Sequence, residues 1–179
     1  DGGQTPLVLY NGRLYLHRYY RYERRLARQI SAMAAVTFPC ELHQTQLDSF
    51  FPNVAPDTDW QKEAAKIALV KALTIICGGP GTGKTTTVVK ILAILLSAST
   101  PSLDVALTAP TGKAAKRLSE AVGSSLEWLQ LPEEINKAIP TQAKTVHRLL
   151  GVKQYSAEFR HSHENPMSWD VVVVDEASM

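Results

Sequence analysis

Alternating apolar residues flank Asn11-Gly12, a pattern that predicts a hairpin of two short strands over residues 6–17. The period then changes to that of a helix over residues 19–36, with Leu26, Ile30, Met33 and Ala34 on one face. Pro39 interrupts it, and a short helical pattern runs to Phe51. Residues 51–57 are rich in turn formers and read as a linker, so the domain boundary is placed there, dividing residues 1–55 from 56–179.

Beyond the linker the pattern alternates between strand and helix. Thr58-Asp59-Trp60-Gln61 reads as a capping box, with Thr58 as the cap and Gln61 reaching back, on a helix that runs to about Lys71. Apolar runs predict strands at residues 73–77, 104–109 and 170–175. The unbroken valines of the last suit a strand buried on both faces of a parallel sheet. Helices are expected over residues 85–96 and 111–122, and a short one over 146–150 with Thr145 as its cap. Strands alternating with helices make this a parallel α/β sheet. No internal repeat or low-complexity tract interrupts it.

Composition narrows the classes. The chain has 179 residues, 45% hydrophobic and 20% charged, enough for one domain plus part of another. A net charge of +2 is too mild to argue for nucleic acid by itself. Cys40 and Cys77 lie far apart; Cys77, in an apolar run, reads as a buried thiol, and a reducing cytoplasmic setting fits better than a disulfide framework. No apolar stretch is long enough to span a membrane and no signal peptide is visible. The chain starts at Asp1 and stops at Met179 directly after a motif, so both ends read as cut.

The candidate chemistry centres on Gly78-Gly79-Pro80-Gly81-Thr82-Gly83-Lys84-Thr85, which fits G-x-x-x-x-G-K-[ST], the phosphate-binding loop. An apolar run before it and a helical run after it supply the expected context. Glycines let several N–H groups face one phosphate chain, and the following helix adds its positive end. Lys84 is placed to reach the β- and γ-phosphates, and the Thr85 hydroxyl to hold Mg²⁺. Four apolar residues then deliver Asp175 and Glu176 to the carboxyl end of a strand, where ligands of open α/β sheets bind. Asp175 would hold Mg²⁺ and Glu176 would act as general base on the attacking water.

Other features stay open on the residues alone. Gln61 is either a capping residue, the reading its position favours, or a reader of the adenine edge. Residues 109–118 combine a strand end, a tight turn and a basic helix start. There Thr111, Lys113, Lys116 and Arg117 form either a phosphate contact or a solvated face. Thr145-Val146-His147-Arg148 offers a second such helix start. Six arginines at positions 13, 18, 21, 24, 25 and 28 interleave with Tyr15, Tyr19, Tyr20 and Tyr22. They suit a solvated face or a partner interface better than a single-strand grip. His161-Ser162-His163-Glu164 lies in a polar stretch without a cysteine partner and reads as a loop or hairpin excursion rather than a zinc site.

Taken together, the motifs resemble the first motor domain of superfamily-one DNA helicases, and within it the RecD-like group, the alpha subunit of exodeoxyribonuclease V. The resemblance is densest at Trp60-Gln61-Lys62, at residues 78–86, 109–118 and 145–151, and at 165–179. It implies a RecA-like lobe, truncated after the acidic motif and preceded by the hairpin-plus-helix end of an N-terminal domain. It implies ATP and Mg²⁺ as cofactors, with Gln61 reading adenine and Gly79, Gly81, Thr82, Gly83, Lys84, Thr85 and Thr86 around the phosphates. Thr111, Lys113 and His147 would lie along single-stranded DNA. The family's motor moves 5′ to 3′, serves double-strand-break repair and recombination, and in the nuclease complex works beside RecB- and RecC-like subunits. That favours a partner interface for the Arg/Tyr stretch. The glutamine sensor, second motor lobe and arginine finger have no counterpart in these residues, so the chain alone is not expected to unwind DNA. The alternatives are another phosphate-loop enzyme such as a small-molecule kinase, a helicase working outside the nuclease complex, or a non-enzymatic binding or assembly module.

Overall fold

A computed structural model describes residues 5–38, 44–52, 58–99, 103–156 and 158–178. Most of the proposed boundary segment, together with Cys40, therefore lies outside the described residues.

The hairpin forms as the alternation predicts. Strands β1 (Leu7–Tyr10) and β2 (Arg13–Leu16) pair antiparallel, Tyr10 opposite Arg13. Asn11 and Gly12 both take positive φ, 48° and 73°, the twist that a two-residue hairpin turn demands. Helix α1 spans His17–Ala35, starting two residues earlier than its periodicity suggests. Its apolar stripe exists, but Leu26, Ile30 and Met33 are all exposed and α1 buries no residue. A stripe becomes a core only where another element covers it, and the main contacts of α1 are with β1 and β2, which leave that stripe exposed.

The remaining elements make an α/β unit. Helix α2 is Gln44–Phe50, α3 Trp60–Val70, α4 Lys84–Ala98, α5 Gly112–Leu129, α6 Glu133–Ala138 and α7 Val146–Leu150. Strands β3 (Val105–Ala109), β4 (Lys144–Thr145) and β5 (Val171–Val174) form a parallel sheet in the order β4-β3-β5. In register, Ala109 faces Thr145 and Thr108 faces Val174. Helix α4 is the hub. Val89, Leu92, Ala93 and Leu96 pack with Val105 and Leu107 of β3 and Leu118, Val122 and Leu126 of α5. Ile91 and Ile94 pack with Leu47 of α2 and Ala65 and Leu69 of α3. Full burial of each valine, leucine or isoleucine among these contributes about 1.5–3 kcal/mol, so α4 is anchored on two sides.

Four expectations are corrected. Residues 73–77 form no strand: they have no ladder partner among the described residues, Ile75 is 75% exposed, and the buried Thr74 hydroxyl finds no hydrogen-bond partner. An apolar run becomes a strand only when a neighbour supplies hydrogen bonds. For the same reason Cys77 is exposed rather than buried. Strand β5 is not covered on both faces: Val171 and Val173 pack on the core, while Val172 and Val174 are 39% and 47% exposed. The fully buried strand is the central β3. The cap of α3 is Asp59, not Thr58: its carboxylate accepts from the amides of Gln61 and Lys62 at 3.0 and 3.2 Å. Helix α6 and the two-residue β4 have no counterpart in the periodicity reading, and α5 runs on to Leu129.

Candidate nucleotide site

The phosphate loop closes on itself. The Thr82 hydroxyl donates to the Gly79 carbonyl at 2.9 Å, and the Lys84 ammonium donates to the carbonyls of Gly78 and Gly79, both at 2.7 Å. Gly81 lies at φ 73° beside them, within the exposed turn. Gly83 caps α4 in the left-handed region, φ 77°, a conformation that L side chains rarely adopt. A Cβ on Gly83 would also lie 2.9 Å from Nε2 of Gln61, so the tip of that side chain would have to swing aside. The first-turn amides of α4 and its positive end thus face the loop.

With Asp59 as the cap, the Gln61 side chain is released from the capping role. Its Nε2 donates to the Thr82 carbonyl at 3.0 Å, linking α3 to the loop. The three threonines after Lys84 diverge. Thr87 donates to the Gly83 carbonyl at 3.0 Å, and the Thr86 hydroxyl is 3.4 Å from that of Ser125 on α5. Thr86 therefore has only its backbone to offer a phosphate. The Thr85 hydroxyl has no hydrogen-bond partner among the described residues. A hydroxyl left unengaged in the first turn of the loop helix fits the donor set that Mg²⁺ takes, oxygen ligands beside phosphate oxygens. Asp175 supplies a carboxylate of the same kind. No cluster of three His, Cys, Asp or Glu side chains that could hold a metal forms among the described residues. The stretch around His161 is instead a hairpin excursion: Val152 bridges Phe159, and Arg160 and His161 donate to the carbonyls of Gly151 and Leu150.

The sheet brings the remaining candidates to one edge. The Asp175 amide donates to the Thr108 carbonyl at 2.9 Å, continuing the β3–β5 ladder one step past the strand. Glu176 follows, exposed and at φ 51°. Next door, Thr111 caps α5 by accepting from the Ala114 amide, and Thr145 caps α7 by accepting from that of Arg148. The register that sets Ala109 opposite Thr145 places these two helix starts side by side. Lys113 and His147, in their first turns, are exposed, and the His147 ring meets that of Phe159 edge-on at 5.7 Å.

Three side chains that the periodicity reading does not single out brace this region. Lys62 pairs with Asp48 at 2.7 Å. Lys90 donates to the Phe50 carbonyl at 2.6 Å, and burial lowers its pKa, opposed by the charge of Asp59. Ser125 donates to the Ala121 carbonyl at 2.8 Å while meeting Thr86. A lysine inside an otherwise apolar helix pattern is the only sign of the first two in the sequence.

A parallel α/β layer with a phosphate loop at the start of its hub helix and an acidic pair at a strand end defines a phosphate-loop nucleotide-binding domain. The family described as AAA domain matches residues 61–179, and the chain belongs to it. It is 39% identical over 185 residues to the RecBCD enzyme subunit RecD of Haemophilus influenzae, covering 98% of this chain and 29% of that protein. It is 41% identical over 178 residues to the RecBCD enzyme subunit RecD of Mycobacterium tuberculosis, covering 97% of this chain and 30% of that protein. It is 37% identical over 170 residues to the ATP-dependent RecD2 DNA helicase of Deinococcus radiodurans, covering 94% of this chain and 20% of that protein. The chain thus spans less than a third of the length of these relatives. No described helix is long and apolar enough to cross a membrane.

Proposed function

We propose that this chain is the ATP-binding part of a DNA helicase motor that moves 5′ to 3′ on single-stranded DNA. We place it in a cytoplasmic nuclease complex of the exodeoxyribonuclease V type, beside RecB- and RecC-like subunits. The observation that carries the nucleotide half is the Gln61–Thr82 contact over a loop whose lysine is held by its own carbonyls. Lys84 exchanges the Gly78 and Gly79 carbonyls for the β- and γ-phosphates. Gln61 turns its amide to the adenine edge, and Gly79, Gly81, Thr82, Gly83 and Thr86 offer backbone to the phosphates. Thr85 and Asp175 would hold Mg²⁺, which neutralises phosphate charge when bound. Glu176 takes the proton of the attacking water. The motor half is supported by the paired helix starts at Thr111 and Thr145. With Lys113 and His147, they present amides and positive charge to a backbone phosphate. Within the span 1–55 that we assign to the end of an N-terminal domain, the hairpin and α1 would serve assembly, a reading supported by α1 burying no residue, whereas α2 of the same span packs against α3 and α4.

A second reading, a motor working outside any nuclease complex, draws on the likeness to a relative named as a helicase rather than as a subunit. Titration of a fluorescent ATP analogue with Mg²⁺ against the wild type and Lys84→Ala tests the site. Saturable, Mg²⁺-dependent binding lost in the variant is expected. ATP hydrolysis by the intact protein that single-stranded DNA fails to stimulate would overturn the motor. Copurification of RecB- and RecC-like chains separates the two readings.

A further inference from the structure

Helix α2 ties together the two helices that carry the nucleotide residues. Lys62, next to Gln61 in the first turn of α3, is 6% exposed, and its ammonium lies 2.7 Å from the Asp48 carboxylate of α2. From the other side Lys90 of α4 donates to the Phe50 carbonyl at the end of α2, and stands 4.6 Å from the centre of the Phe51 ring. Leu47 and Phe51 are buried in the same cluster as Ala65, Leu69, Ile91 and Ile94. Helix α2 is therefore a brace with one cationic link to α3 and another to α4.

The link to α3 has a directional consequence. Neighbouring helix positions point about 100° apart, so turning Lys62 inward to Asp48 turns Gln61 away from α2. That is the direction of the loop, where Nε2 of Gln61 meets the Thr82 carbonyl. The Lys62 side chain is 8% exposed while that of Asp48 stays 51% exposed, so it is the lysine whose charge needs its partner, and turning the first turn of α3 would pull it from Asp48. Asp59 fixes the backbone of that turn, and of the buried face Lys62, Ala65 and Leu69 it is Lys62 that lies next to Gln61.

We infer that Asp48 and Lys62 are positioning residues for the nucleotide base: their ion pair sets the rotation of α3 that holds Gln61 over the loop. This rests on the nucleotide site proposed above. The pair acts through Gln61, so its removal should lower base discrimination and not merely stability.

The test uses the intact protein. ATP and GTP are each titrated in Mg²⁺ against wild type, Gln61→Ala, Lys62→Met, Lys62→Arg, Asp48→Asn and the Gln61→Ala/Lys62→Met double variant, with circular dichroism on every sample. Lys62→Met should lose as much of the ATP-over-GTP preference as Gln61→Ala does, about tenfold, the scale of one hydrogen bond. Lys62→Arg should keep the preference. In the Gln61→Ala background Lys62→Met should cost no further preference, because both changes remove one interaction. Asp48→Asn leaves α3 intact and carries the test if Lys62→Met does not fold. A folded Lys62→Met or Asp48→Asn protein with the wild-type preference overturns the inference, as does an additive double variant. Lack of Mg²⁺-dependent binding by the wild type refutes the nucleotide site itself and the inference with it, an outcome distinct from binding without lost preference.

Discussion

The side-chain amide of Gln61 donates to the carbonyl oxygen of Thr82 across 3.0 Å, so helix α3 and the phosphate loop meet through one side chain. The contact is close-packed: a methyl group on Gly83 would lie 2.9 Å from the same amide and would push it off the Thr82 carbonyl. A displacement of either partner is felt by the other, which couples the site to the brace behind α3.

Gly83→Ala tests that packing. The new Cβ would lie 2.9 Å from Gln61 Nε2 at a φ of 77°, combining a clash with a strained backbone. The left-handed conformation alone costs about 1–2 kcal/mol. Gly123, inside α5, offers the opposite case: a methyl group added there would meet nothing within 4 Å, so Gly123→Ala should gain about 0.5–1 kcal/mol. Urea midpoints should therefore move in opposite directions. Two shifts of the same sign would refute the account of the loop.

Lys84→Ala should abolish nucleotide turnover and leave the fold intact. The lysine's two hydrogen bonds are to exposed loop carbonyls that water can satisfy, so unfolding free energy should change by less than about 1 kcal/mol. Turnover at the wild-type rate would refute its role, and a collapsed denaturation midpoint would show that the lysine holds the loop together.

The loop is legible in the sequence because its chemistry is contiguous: eight neighbouring residues carry the turn, the lysine and the helix start. Helix caps are legible only to within a residue. Thr58 and Asp59 are both cap formers, and the choice between them depends on where the backbone turns helical. That same choice decides whether Gln61 is free. The apolar run at residues 73–77 misleads because apolarity reports a preference for burial, while a strand also needs a neighbouring edge. The stripe on α1 is real, but nothing in its spacing says what covers it. Strand β4 is too short to show a period, so the register that unites Thr111 with Thr145 emerges only in three dimensions.

Lys90 predicts a pH dependence. Burial lowers its pKa from 10.5, so between the folded value and 10.5 the unfolded chain binds more protons than the folded one. Its contribution to stability must therefore rise with pH in that window: the cost of burying the charge is present in full below the folded value and is relieved above it. Partial exposure keeps the effect small. The stability of wild type relative to Lys90→Met, followed by urea unfolding from neutral pH to pH ~10, should shift in favour of the wild type as pH rises. A flat difference, or one of opposite sign, would show that the Phe50 carbonyl and the Phe51 ring outweigh desolvation.

Glu176 joins strain to chemistry. It stands one residue past the β3–β5 ladder at φ 51°, a conformation that costs a residue other than glycine or asparagine about 1 kcal/mol or more. The proposed general base thus occupies a position where stability alone would place another residue. Glu176→Asn tests both halves. Asparagine tolerates the left-handed region, so the variant should match or exceed wild-type stability by up to about 1 kcal/mol. Its amide cannot take a proton from water, so hydrolysis should fall by a factor of about 10²–10⁴ while nucleotide affinity stays unchanged. Retained turnover would remove Glu176 from the chemistry. A large loss of stability would mean that the local backbone depends on the glutamate side chain, and the strain argument would fail with it.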